Sequence, residues 1–126
     1  MGQFQGVTGP SQDAFDAQTQ AIAKLASTRI SDDFTHSASV FEAYLTGNIV
    51  TIFMQYASGT YTNNTVLATI PIKYKPKATS ISPVYNYDTG VPSTTGSAWA
   101  QTAGDIRYFG SSSFTGKLTA FITYAI

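Results

Sequence analysis

His36 is the only histidine in the chain, so a Ser-His-Asp triad or an imidazole metal site would have to be built on it. Its neighbours Asp32, Asp33 and Thr35 offer oxygens to a hard cation. So few oxygens on one short segment fit a polar connector better, with an aspartate capping a turn. Paired carboxylate chemistry would have to draw on Glu42, Asp88 and Asp105, which fall in separate segments with no shared motif. The stretch Gly110 to Leu118 (GSSSFTGKL) approaches a phosphate loop, but five residues separate its glycines instead of four. Leu118 also stands where a Ser or Thr must meet magnesium. Asn63-Asn64-Thr65 has the form of a glycosylation sequon and reads as a turn. With no cysteine, thiolate nucleophiles, thiolate metal ligands and disulfides are excluded together. The expectation is a protein that is not an enzyme, with no catalytic residue, no metal and no cofactor.

Recognition suits these residues better. Sugars present an apolar ring face to aromatic side chains and hydroxyls to amides and carboxylates. Tyr85-Asn86-Tyr87-Asp88, followed by the loop from Thr89 to Gly96, therefore forms the candidate saccharide-binding segment. Trp99 with Gln101, and Tyr61 with Asn63 and Asn64, are candidates for the same or adjoining rims. Ordinary β packing accounts for the same residues, because Tyr and Trp are strand formers with an apolar body and a polar tip. Lys73, Lys75 and Lys77 would share one side of an extended segment, where they protect a sheet edge or meet an acidic partner.

The elements that must position these residues are mostly strands. The chain has 126 residues, room for one domain and an appendage. Seven Lys and Arg balance seven Asp and Glu, which argues against nucleic acid and anionic membrane as partners. Hydrophobic residues make up 43%, too many for a disordered chain, and no apolar run is long enough to span a bilayer as a helix. Eighteen Thr and thirteen Ser beside eight Tyr and eight Phe describe strands with hydroxylated outer faces. Period-2 segments run from Ala38 to Thr46, Ile49 to Ser58, Thr65 to Ile72, Ala78 to Asn86, Ser97 to Gln101, Asp105 to Phe109 and Lys117 to Ile126. Turn signals separate them at Gly47-Asn48, Ser58-Gly59, Asn63-Asn64, Asp88-Thr89-Gly90 and Ala103-Gly104. The predicted fold is an antiparallel β-sandwich of about seven strands over residues 37–126.

Residues 1–30 read as an anchor. Met1 to Pro10 is Gly-rich and uncharged, so it is expected as an extended arm and not an ordinary signal peptide. Ser11 to Ser27 predicts a helix, capped by Ser11, with Phe15, Ile22 and Leu25 on one stripe. Alone it would be marginal, so Phe4, Phe15, Ile22 and Leu25 are the candidate anchoring or oligomerisation residues. Ile30 to His36 reads as a polar connector. The strands from Ile49 and to Ile126 are apolar on both faces, including Phe53 and Phe121, which points to a subunit interface.

Four segments in order carry a resemblance: Gly47-Asn48-Ile49-Val50-Thr51-Ile52; Val66-Leu67-Ala68-Thr69-Ile70-Pro71 leading to Tyr74-Lys75-Pro76; Gly104-Asp105-Ile106-Arg107-Tyr108; and Leu118 to Tyr124 (LTAFITY). Together, over Ser37 to Ile126, they resemble the small C-terminal β domains of bacteriophage tail and baseplate proteins. The resemblance implies a homotrimeric β-sandwich on a virion, made in the host cytoplasm and often serving as the head of a receptor-binding protein. It implies as partners a second virion protein at the N-terminus and a host-surface saccharide. Members usually end much longer proteins, so a head-fibre or capsid decoration protein is the alternative.

Overall fold

The computed structural model describes residues 26–126. The expected arm and all but the end of the expected helix, with Phe4, Phe15, Ile22 and Leu25, lie outside the described residues. Ala26 and Ser27 are not helical, and Thr28 to Ile30, expected in the anchor, belong to the β domain as a short strand and a buried isoleucine. The described residues form nine strands: β1 (Thr28–Arg29), β2 (Thr35–His36), β3 (Val40–Thr46), β4 (Ile49–Tyr61), β5 (Thr65–Thr69), β6 (Ser80–Asn86), β7 (Pro92–Gln101), β8 (Asp105–Gly110) and β9 (Phe114–Ala125). The protein is mostly β, and every strand pairing is antiparallel.

All nine strands belong to one sheet, in the order β1-β3-β4-β9-β6-β7-β8-β5-β2. Its two edges, β1 and β2, are neighbours in sequence, joined only by Ile30 to Phe34. Such a link spans at most about 20 Å. The sheet must therefore curl until its edges approach, and it forms a half-barrel. This corrects the expected seven strands in two sheets: one continuous sheet, curled on itself, supplies both walls of the core. The connector is also less polar in place than in sequence. Ile30, Ser31 and Phe34 are buried, and Phe34 packs on Phe41 and Tyr74 in the gap between the edges. Ser31 Oγ accepts the Ala43 N–H at 2.8 Å.

Period-2 alternation decides which side chains fill the interior. Val50, Ile52, Met54 and Tyr56 of β4 point inward, as do Leu118, Ala120, Ile122 and Tyr124 of β9. From the opposite wall come Leu67, Ala68, Ala98, Ala100, Ile106 and Tyr108. The alanines of β7 leave room for the large rings of β4 and β8. Residues 72–77 are not a strand: Ile72–Tyr74 is a 3-10 turn. The three lysines therefore form no row. Lys73 Nζ lies 3.8 Å from Asp33 and 5.1 Å from the Tyr74 ring centroid, while the Lys75 stem covers Gly104.

One hydrogen bond ties the two walls. The register of β5 shifts between Val66 and Ala68, which leaves Leu67 without a ladder partner. The Tyr56 hydroxyl donates to that carbonyl from across the core. Tyr124, by contrast, buries its hydroxyl with no partner among the described residues. Burial raises the pKa of both phenols well above the ordinary tyrosine value. Below about pH 10 these phenols are neutral whether folded or unfolded and add no pH dependence. Above it the unfolded phenols ionise while the folded ones keep their protons, so stability falls as pH rises. The limiting slope is about 1.4 kcal/mol per pH unit for each residue. Urea unfolding between pH 8 and 11.5 should show this loss, and Tyr124→Phe should make it shallower. At pH 7 Tyr124→Phe should match or exceed the parent by up to about 1 kcal/mol. Tyr56→Phe should cost about 1 kcal/mol by orphaning the Leu67 carbonyl.

Candidate functional site

The outer face of the sheet holds the site. Phe53 of β4 and Phe121 of β9 stand directly opposite each other, with ring centroids 4.8 Å apart and planes tilted by 50°. They alternate with core residues, so they must face outward, and Phe121 remains 61% exposed. An aromatic cross-strand pair stabilises a sheet, but a ring this open also leaves apolar surface in water.

One register step along β9, Thr119 pairs with Tyr85 of β6. The phenylalanine pair thus continues into the segment Tyr85-Asn86-Tyr87. Together with Thr119 and Gly90 these side chains line a cavity of about 310 Å³. The β6–β7 hairpin fixes its rim. Asn86 N–H donates to Val91 O at 3.0 Å, and Asn86 O accepts the Gly90 N–H at 2.7 Å. Asn86 Oδ1 accepts the Asp88 N–H at 3.1 Å. Lys117 Nζ sits 3.5 Å from Asp88 Oδ1 and 5.9 Å from the Tyr87 ring centroid. Tyr87 is itself 54% exposed.

The groove is an aromatic platform edged by an amide and a hydroxyl, with no carboxylate or cation in its lining. It can stack flat, weakly polar rings and donate hydrogen bonds at their margin.

Of the expected saccharide residues, Tyr85, Asn86 and Tyr87 come together here, and Asp88 forms the ion pair at the rim. Trp99 and Gln101 do not join them. Trp99 pairs with Ile81, four residues along β6 from Tyr85, a separation of about 13 Å. Its Nε1 donates to Ser97 Oγ at 2.9 Å, and its ring packs on Phe109 at 4.9 Å. Gln101 pairs with Asp105 at the far end of β7. Tyr61, Asn63 and Asn64 also lie elsewhere, their polar groups engaged by Ala57 O, Gly110 N and Arg107 Nη1.

Among the described residues, ion pairs engage the remaining acidic groups. Asp32 and Glu42 meet Arg29, Asp33 meets Lys73, and Asp105 meets Arg107 at 2.9 Å. His36 stacks on Phe41 at 4.2 Å and accepts the Ala38 N–H through Nδ1. Among the described residues, no three His, Asp or Glu gather as a metal site.

Phe53 and Phe121 are the lining residues that chain reading assigns elsewhere, as interface surplus on apolar strands. Their signal is an aromatic on the outward phase of each strand. Only the β4–β9 register sets them face to face and beside Tyr85. The chain matches no protein-family model, and no curated protein is similar to it.

Proposed function

We propose that this β domain is a non-enzymatic attachment module whose groove holds a saccharide of a host surface. The observation that carries the reading is the outward-facing Phe53–Phe121 pair, its Phe121 ring exposed, continuing into Tyr85 and Tyr87. Four aromatic rings around one cavity of small-ligand size cost solubility, and a ring-stacking ligand gives them a use. The resemblance of the strand motifs supports display on a bacteriophage virion, with the segment that precedes β1 as the anchor.

Trimerisation belongs to the same reading. Ile81 and the Trp99–Phe109 pair form a second apolar region on the outer face, away from the groove and bordered by Arg107, which separates it from Val66. Self-association through it leaves the groove open. Light scattering of the full chain should return three chain masses. A monomeric mass would exclude the trimer and leave the groove untouched.

The attachment reading is tested by saturable binding of the purified full chain to intact host cells and to their isolated wall carbohydrate. Free wall oligosaccharide should compete. No binding to either by a correctly folded protein would contradict attachment and favour a decoration role on a capsid.

A further inference from the structure

A second cavity, of about 450 Å³, shares Asn86 with the aromatic groove. Its walls are of a different kind. Ser93, Thr94 and Thr95 of β7 line it together with Ser113, just before β9, and Thr115 of β9, beside the buried Phe114. Where the first cavity offers rings, the second offers hydroxyl groups, each able to donate and accept. No charged side chain lines either.

Asn86 is the one residue common to both, and it is held firmly. Its backbone N–H and C=O close the hairpin, and its Oδ1 is taken by the Asp88 N–H. Its amide lies so close over Gly116 that a Cβ there would stand 2.8 Å from Nδ2. The acceptor half is thus used internally, while the two Nδ2 protons have no acceptor among the described residues. A fixed, half-buried amide with two free donors at the junction of two cavities suits a ligand that crosses it.

The geometry points to one extended site for a neutral, linear oligosaccharide of at least two units, one ring stacked on the Phe121–Tyr85 groove and the next hydrogen-bonded in the hydroxyl-lined cavity. This deepens the attachment reading and rests on it. Neutrality follows from the lining: an acidic or phosphorylated sugar would bring a charge with no cation to meet it, since Lys117 already faces Asp88. Chain length follows from the two unlike cavities joined at a single donor.

The test is a glycan array of neutral and acidic oligosaccharides, one to six units long, probed with the full chain. Bound glycans should be neutral, and a three-unit member should bind at least about tenfold tighter than its monosaccharide, a gain of about 1.4 kcal/mol. Asn86→Asp keeps the Oδ1 acceptor and removes both donors. Thr115→Val removes a hydroxyl from the second cavity and not the first, together with its exposed 3.4 Å contact to the Thr60 hydroxyl. Thr115→Val should flatten the length dependence while leaving monosaccharide binding and the unfolding midpoint near the parent values. Asn86→Asp, at a residue that lines both cavities, should weaken the monosaccharide as well as flatten the length dependence. Equal affinity for one and three units, or preference for acidic glycans, would overturn the extended neutral site and leave attachment standing. Binding to no glycan would overturn both.

Discussion

Gly96→Ala should cost about 3 kcal/mol of stability, although it adds one methyl group to a strand whose backbone accepts alanine. Gly96 and Gly110 are register partners on β7 and β8, and the Tyr108 ring lies over both. A Cβ at position 96 would stand 2.6 Å from Tyr108 Cε1, and closer still to Cζ and Oη. Tyr108 is fully buried, and its hydroxyl donates to Ser112 O at 2.8 Å, so the ring has nowhere to retreat. Two effects compete. Replacing glycine by alanine restricts the unfolded chain and stabilises by about 0.4–1 kcal/mol. Overpacking a dense core costs about 1–3 kcal/mol or more, and here the approach is far inside contact distance.

Gly59→Ala isolates the first effect, because its added Cβ would meet nothing nearer than 3.6 Å. Urea unfolding should therefore give opposite signs: a midpoint at or above the parent for Gly59→Ala and well below it for Gly96→Ala. Shrinking the ring in the Gly96→Ala background, as Tyr108→Val, should cost less than the sum of the single changes. Equal midpoints for the two alanine variants would mean that Tyr108 does not lie where the structure places it.

Phe121→Ala should weaken saccharide binding by about ten- to thirtyfold, or about 1.4–2 kcal/mol, and barely alter stability. The ring is too exposed to contribute much to the core, so its removal costs mainly the cross-strand contact with Phe53, about 0.2–1 kcal/mol. Tyr85→Ala should act similarly on binding, since Tyr85 continues the same platform beside Thr119. Trp99→Ala is the matched control: an aromatic of the same sheet face, outside the groove, whose loss should leave affinity for a soluble oligosaccharide unchanged even where it weakens self-association. Titration with soluble wall oligosaccharide separates these outcomes, with the unfolding midpoint measured on every variant. A Trp99→Ala loss as large as that of Phe121→Ala would place the ligand elsewhere on the outer face.

Much of this architecture is legible in the chain because strand alternation is a local property. The cores of seven strands, the Gly47-Asn48 turn and the Asp88-Thr89-Gly90 hairpin all follow from residues within a few positions of one another. What escapes is set by pairing. β1 and β2 have two residues each, and only their partners β3 and β5 make them strands. Ser58-Gly59 carries the composition of a turn, yet β4 runs through it because a register shift between Gln55 and Ser58 absorbs the irregularity and β9 supplies partners to Tyr61. Pro92 starts β7 where the chain reads as loop, a position at which a strand does not need its missing N–H.

The candidate site divides in the same way. Tyr85, Asn86 and Tyr87 are consecutive, so the chain itself delivers them together. Phe53 and Phe121 meet across a ladder between residues far apart in sequence. Trp99 has the right chemistry and the right face, but its partner Ile81 lies four residues along β6 from Tyr85 and the groove. Composition identifies side chains suited to sugars, and register decides which of them share a cavity.

The most direct test of the groove is a ¹H–¹⁵N and aromatic ¹H–¹³C NMR titration of the full chain with size-graded, neutral wall oligosaccharides. The account predicts saturating shifts at Phe53, Tyr85, Asn86, Tyr87 and Phe121, with the Trp99 indole N–H unmoved as an internal reference. Saturating shifts centred on Trp99 and Phe109, or none at the groove at concentrations that saturate the wall-binding assay, would contradict it.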